Sequence, residues 1–139
     1  MTATKLDRTT YKYIESEIRH YKQTMNEYKV RRQEILYDRN GAEAVGGRSN
    51  LPSSPTERYA LRLVEDRRIS RLRTTVDAIE TVLESMNDDQ QKFVDMYFFA
   101  KPQTKTIDGI AYEMGVSRRT LFRIRDEIVY SVAKLMGEL

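Results

Sequence analysis

The sequence predicts an all-α protein: a long N-terminal helical hairpin followed by a C-terminal helix-turn-helix module. Residues 6–38 contain no Gly or Pro and repeat apolar or aromatic side chains at steps of three and four. Residues 56–86 do the same after a connection rich in Gly, Ser and Pro. Residues 107–126 then combine short apolar runs, a central glycine and a capping serine at the spacing two short crossed helices require.

The first stretch places Tyr11, Ile14, Ile18, Tyr21, Met25, Tyr28 and Ile35 on one seam, the mark of an amphipathic helix with a heptad-like stripe. A helix of that length would reach ~50 Å at ~1.5 Å per residue, longer than a small compact domain requires. Residues 39–54 read as a loop, and from Arg39 to Pro55 the chain holds three of its six glycines and two of its three prolines. Ser54-Pro55-Thr56-Glu57 announces the second helix, with Ser54 as N-cap, Pro55 at the first helical position and Glu57 placed to close a capping box. Its stripe is Ile69, Leu72, Val76, Ile79, Leu83 and Met86. Residues 1–86 therefore read as a hairpin with helices at about 6–38 and 55–86, serving as scaffold and oligomerisation surface.

Residues 87–139 read as a separate module. Asn87-Asp88-Asp89 caps a helix carrying Phe93, Val94, Met96, Tyr97, Phe98 and Phe99, which Pro102 ends. Thr106 caps a short helix to Met114, and Gly115-Val116-Ser117 turns into a last helix from Arg118 to about Met136, closed by Gly137. Ile110, Met114, Val116, Leu121 and Ile124 supply the apolar contacts between the two short helices, and Ala111 lies at their close crossing. Gly115 occupies the turn position that favours a left-handed backbone.

Projected at ~100° per residue, the last helix turns Leu121, Ile124 and Ile128 inward and Arg119, Arg123, Asp126 and Tyr130 outward. Arg119 and Arg123, four apart near the helix start, stand where side chains reach base edges in a major groove, and bidentate arginine to guanine is the commonest specific contact. Ser117, Arg118 and Arg125 suit phosphates, Thr120 lies among them on the first turn, and Phe122 could meet a thymine methyl. Asp126 could orient Arg123 or accept from cytosine. A solvated arginine face is the bland alternative; the surrounding helix-turn-helix pattern tips the reading toward DNA.

Charge and composition exclude other classes. The 139 residues include no cysteine and one histidine, His20, so thiolate sites, disulfides and a histidine metal cluster are not expected. No P-loop, dinucleotide fingerprint or nucleophile constellation occurs, so no enzyme, cofactor, metal or small-molecule substrate is expected. No stretch resembles a signal peptide or approaches the ~20 apolar residues of a membrane span, which points to a soluble protein of the cytoplasm. The formal charge is +3, from 24 Lys plus Arg against 21 Asp plus Glu. Residues 86–139 are balanced at eight against eight, so the excess lies in the first 50 residues, ten against seven. Four of those C-terminal cations fall between Arg118 and Arg125. Arg67, Arg68, Arg71 and Arg73 crowd the second helix, where pairing with Glu65, Asp66 and Asp77 competes with a second DNA or polymerase contact.

Over most of its length the chain resembles the ArpU and RinA families of phage-encoded late-gene transcriptional regulators. The resemblance is most specific in Val116-Ser-Arg-Arg-Thr-Leu-Phe-Arg-Ile-Arg-Asp-Glu-Ile-Val-Tyr130, with further parts at Ser54–Arg58, Ile79–Glu84 and Phe93–Phe98. Residues 87–136 are also similar to region four of sigma factors. Gly109 departs from the family, whose members carry a longer polar residue there, and glycine costs that helix ~1 kcal/mol relative to alanine. The resemblance implies a transcriptional activator of phage or prophage late genes in a bacterial host, binding double-stranded promoter DNA and assisting host RNA polymerase. Repression would use the same residues, with position relative to the promoter deciding between the two. Because one small module binds DNA weakly, a homodimer or higher homo-oligomer is expected. A phage small terminase subunit is the competing reading, although those carry the DNA module at the N-terminus; a serine recombinase fits least, for want of a nucleophile fold.

Overall fold

The computed structural model describes residues 5–44 and 54–139, with side chains at 5–37, 54–64 and 66–139. Every regular element among them is helical: α1 (Arg8–Arg19), α2 (Tyr21–Ala44), α3 (Pro55–Glu65), α4 (Arg67–Glu84), α5 (Asp88–Phe93) continuing as a π-helical turn (Val94–Phe98), α6 (Ile107–Met114) and α7 (Arg118–Leu135). The chain divides into two compact units, residues 1–21 with 77–139, and residues 22–76. The division expected at residue 86 thus falls elsewhere, and the first helical segment belongs with the C-terminal module.

Both long helices expected from periodicity are interrupted, each at one polar residue. The 6–38 helix breaks at His20, whose backbone leaves the helical region (φ −97°, ψ 15°). The His20 amide and its ring Nδ1 both reach the Ser16 carbonyl, at 3.0 and 2.8 Å. A carbonyl only accepts, so Nδ1 carries the proton there. The 55–86 helix breaks at Asp66, which is extended (φ −76°, ψ 114°). Its carboxylate accepts from the Ile69 amide at 2.8 Å, so Asp66 ends α3 and caps α4. A seam read at steps of three and four tolerates such a break because a single non-helical residue leaves the apolar faces on either side intact. The loop expected from residue 39 begins later, since α2 continues through Gly41 to Ala44; residues 45–53 of that loop lie outside the described residues.

In the larger unit one core gathers Ile14 and Ile18 of α1, Ile79 and Val82 of α4, Phe93, Val94 and Phe98, Ile110 of α6, and Leu121, Ile128 and Val129 of α7. Ile14 and Ile18 are almost wholly buried. Each contributes roughly 1.5–3 kcal/mol by leaving water, enough to hold a 12-residue helix that would be marginal alone. Asn87 and Gln90 form the capping box of α5, with Gln90 N–H donating to Asn87 Oδ1 at 2.8 Å and Asn87 N–H to Gln90 Oε1 at 3.1 Å. The following turn widens, Phe99 N–H donating to the Val94 carbonyl at 3.0 Å. Residues five apart diverge by about 140° in a regular α-helix, and the widened turn lets Phe93 and Phe98 both enter the core. Their rings meet edge to face at 5.8 Å, while Tyr97 stacks on Phe93 at 4.9 Å.

In the smaller unit α2 meets the α3–α4 junction. Arg31 donates to Asp66 at 2.7 Å and to Glu34 at 3.0 Å, and the Tyr59 hydroxyl donates to the Arg32 carbonyl at 3.3 Å. Ile35 and Ile69 are the buried hydrophobics flanking this junction.

The guanidinium of Arg31, and then the Ile69 amide, hold the Asp66 carboxyl below its ordinary value. A carboxylate lowered in the folded state stabilises it above the ordinary carboxylate range and loses that contribution as pH falls through the lowered value. Melting temperatures recorded from pH 5 to pH 2 should therefore fall less steeply for Asp66→Asn, which keeps a cap but no charge, than for the wild type. Asp66→Ala, which removes the cap as well, should cost about 1 kcal/mol at neutral pH.

Candidate nucleic-acid interface

The turn between α6 and α7 is built from backbone demands. The Thr106 hydroxyl caps α6 by accepting from Gly109 N–H at 3.0 Å, and a Cβ at Gly109 would come within 3.3 Å of that oxygen. A Cβ there would be a tight fit, but Thr10, Glu57, Gln90 and Thr120 carry one at the same position of the other capped helices, so nothing in the structure requires glycine at 109. At the far end Gly115 adopts φ 68°, ψ 32°, the left-handed region that favours glycine. Val116 N–H then donates back to the Ala111 carbonyl at 3.0 Å, and the Val116 side chain packs against the core. Ser117 accepts from Thr120 N–H at 3.1 Å and its hydroxyl lies 3.0 Å from that of Thr120. Ile110, Ala111, Leu121 and Ile124 are buried and Met114 half-buried, as the spacing of residues 107–126 requires. α7 thus leaves the turn on a direction set by its buried face.

The eight residues singled out from sequence part into two sets. Arg118, Arg119 and Arg123 stand outward on the first two turns of α7. Arg118 comes within 3.8 Å of Asp108 and Arg123 within 3.9 Å of Glu127, at the outer limit of ion pairing, with the two arginine side chains 63% and 70% exposed. Such exposed pairs contribute little and yield readily to a better anion. Among the described residues no carboxylate pairs with Arg119. Ser117 and Thr120 lie at the helix start, already bonded to each other.

Arg125 and Asp126 are held instead against α1, and Phe122 lies beneath the Arg118 and Arg125 guanidinium groups of its own helix. The Tyr11 hydroxyl donates to Asp126 Oδ1 and accepts from Arg125 Nε at 3.0 Å. The Arg125 guanidinium lies 4.8 Å from the Phe122 ring and 5.5 Å from the Tyr11 ring, while Arg118 covers Phe122 at 5.4 Å. Two cations thus lie over the half-buried Phe122 ring, and the Asp126 carboxylate accepts from Tyr11. Tyr130, expected to face outward, is half-buried: its ring meets Tyr11 edge-on at 6.2 Å and its hydroxyl accepts Leu6 N–H at 3.1 Å. Burial, and then the hydrogen bond to Asp126, raise the Tyr11 hydroxyl above its ordinary value, so it remains a donor at neutral pH. Burial works against the Arg125 charge, but hydrogen bonds to Tyr97 and Tyr11 outweigh it and keep its pKa above the ordinary value.

Helical projection missed these contacts because it assigns an outward face by reference to one packing partner, and α7 has a second. Tyr11 carried the available signal: a tyrosine within an apolar seam brings a hydroxyl that needs a partner once buried. Further along α1, Tyr97 donates to Glu15 at 3.2 Å and Arg19 covers the Tyr97 ring at 5.2 Å, while Tyr21 at the start of α2 donates to Glu80 at 2.8 Å. Burial, with Glu80 next, pushes the Tyr21 hydroxyl up to about 12.

A family described as protein of unknown function, DUF722, matches residues 3–134. The chain belongs to that family. The match takes in α1 and all of α7 but its last residue. No curated protein and no solved structure matches the chain. Among the described residues no group of three His, Asp or Glu side chains is placed to hold a metal ion, and no helix is long and apolar enough to cross a membrane.

The Tyr11 bridge makes a direct prediction. Tyr11→Phe keeps the ring contact with Tyr130 but leaves Asp126 and Arg125 without the shared hydroxyl, and should cost about 1 kcal/mol in urea unfolding. Tyr11→Ala, which also removes the ring, should cost clearly more.

Proposed function

We propose that the chain is a sequence-specific DNA-binding protein in which α6, its turn and α7 act as a helix-turn-helix. The first two turns of α7 enter the major groove, with Arg119 and Arg123 toward base edges and Arg118 and Ser117 toward flanking phosphates. The observation that carries this reading is the exposure of Arg118, Arg119 and Arg123 on a helix whose opposite face is fully buried. Base readout needs donors held in a fixed orientation, and bidentate arginine to guanine contributes ~1–3 kcal/mol of discrimination only when the helix beneath it is rigid. The two carboxylates near these arginines are exposed and distant, so a phosphate or guanine can replace them at small cost.

The resemblance to ArpU and RinA regulators extends the proposal to a transcriptional activator of phage or prophage late genes, acting at a promoter alongside host RNA polymerase. Arg125 and Asp126 take a supporting role in it, fixing α7 against α1 rather than touching bases. The protein acts as a homo-oligomer, most simply a dimer, since two linked modules reading paired half-sites gain affinity through effective concentration.

Footprinting across a prophage late promoter region, with transcription followed in parallel, tests the reading. Arg119→Ala and Arg123→Ala should each weaken binding to the protected site by ~1–3 kcal/mol and relax sequence preference at one position. Unchanged affinity in the double variant would overturn it. Light scattering at micromolar protein should return at least twice the 16.4 kDa chain mass; a monomeric mass would remove the half-site arrangement.

A further inference from the structure

An open depression of about 450 Å³ lies between α1 and α7. Lys5, Arg8 and Lys12 line it from the α1 side and Arg125 from α7, and the two carboxylates that share it are Glu15 and Asp126. Both carboxylates accept from tyrosine hydroxyls, Glu15 from Tyr97 at 3.2 Å and Asp126 from Tyr11. Lys5, Arg8 and Lys12 are exposed, and among the described residues no carboxylate pairs with them. The depression therefore offers cations outward while its anions are directed to internal donors.

We propose that Lys5, Arg8 and Lys12 form a second DNA contact, a clamp on the sugar-phosphate backbone at the edge of the groove that α7 enters. The inference rests on the DNA-binding reading and deepens it. Seven residues separate Arg119 from Asp126 and Arg123 from Tyr130, about 10 Å along the helix axis. The major groove is about 12 Å wide, so a helix that enters by its N-terminal turns carries Asp126 and Tyr130 out toward the bounding backbone. The α1 cations stand beside those later turns. Arg8 and Lys12, four apart, share one face of α1, and Lys5 precedes it on the same depression. Phosphate contacts position a reader without specifying sequence, which suits flexible lysines better than base edges would. The clamp also gives a use to the positive excess of the first 50 residues, ten cations against seven acids, which the balanced residues 86–139 lack.

The test is a salt titration of full-length protein on a mixed-sequence 30-base-pair duplex, comparing wild type with a Lys5→Gln/Arg8→Gln/Lys12→Gln variant. Three lost phosphate contacts should make the slope of log affinity against log salt shallower by about 2.7. The advantage of wild type over the variant should then shrink roughly 40-fold between 50 and 200 mM salt. Affinity for the footprinted site and for mixed sequence should fall by the same factor, leaving their ratio unchanged. A wild-type slope in the variant overturns the clamp, as does a loss confined to single-stranded RNA or one that changes the specific-to-mixed ratio. Circular dichroism and melting temperature of the variant are read alongside. If α1 is destabilised, Lys5→Gln and Lys12→Gln singly must each still lower the slope by about 0.9, and their failure to do so overturns the proposal equally. Wild type that binds no duplex at 50 mM salt defeats the DNA reading itself. Wild type that depends on Arg119 and Arg123 but is indifferent to Lys5, Arg8 and Lys12 defeats only the clamp.

Discussion

The hydroxyl of Tyr11 stands between Arg125 and Asp126, and the presentation of α7 depends on that position. Alone, α7 would have one buried face, formed by Leu121, Ile124, Ile128 and Val132, and an open opposite face. The bridge and the edge-on contact with Tyr130 close part of that opposite face with α1. The first two turns keep Arg118, Arg119 and Arg123 exposed. A group that donates to a carboxylate while accepting from a guanidinium satisfies three polar groups at once, which makes a half-buried cluster of charge tolerable. The same bridge ties residues separated by more than 100 positions in sequence.

The turn before α7 works on a different principle. Its geometry comes from backbone conformation at Gly115, the returning bond from Val116 and the cap at Ser117, each local in sequence. Local devices set the angle between α6 and α7, and the long-range Tyr11 bridge sets which part of α7 faces solvent. Electrostatics follows the same division. The C-terminal residues carry no net charge, yet the folded unit groups Arg118, Arg119 and Arg123 on one exposed surface and brings Lys5, Arg8 and Lys12 beside the later turns. Acids of similar number are present, but Glu15 and Asp126 face tyrosine hydroxyls. Net charge summed over a segment is therefore a poor guide to the field a partner meets.

The interruption at His20 lies beside the boundary between the two units, and the one at Asp66 lies within the smaller unit. Each break uses one polar side chain to take up a backbone group that a continuous helix would have used, Ser16 O in one case and Ile69 N–H in the other. Apolar periodicity is blind to such residues because neither disturbs the stripe. The π-helical turn at Val94–Phe98 was equally hidden, since a run of Tyr97, Phe98 and Phe99 fits an α-helix until all the rings compete for one core.

The all-helical class, the caps at Ser54, Asn87, Thr106 and Ser117, the left-handed glycine and the buried positions of residues 107–126 were legible in the sequence by itself, because each is decided within a few residues by sterics, capping or periodicity. Tertiary structure alone decided that α1 belongs with α7, that Arg125 and Asp126 bond to Tyr11 and that Tyr130 is half-buried. A helical wheel divides residues into inside and outside against a single neighbour. The second neighbour here comes from the other end of the chain, and its contacts rest on one tyrosine hydroxyl whose partners no local pattern names.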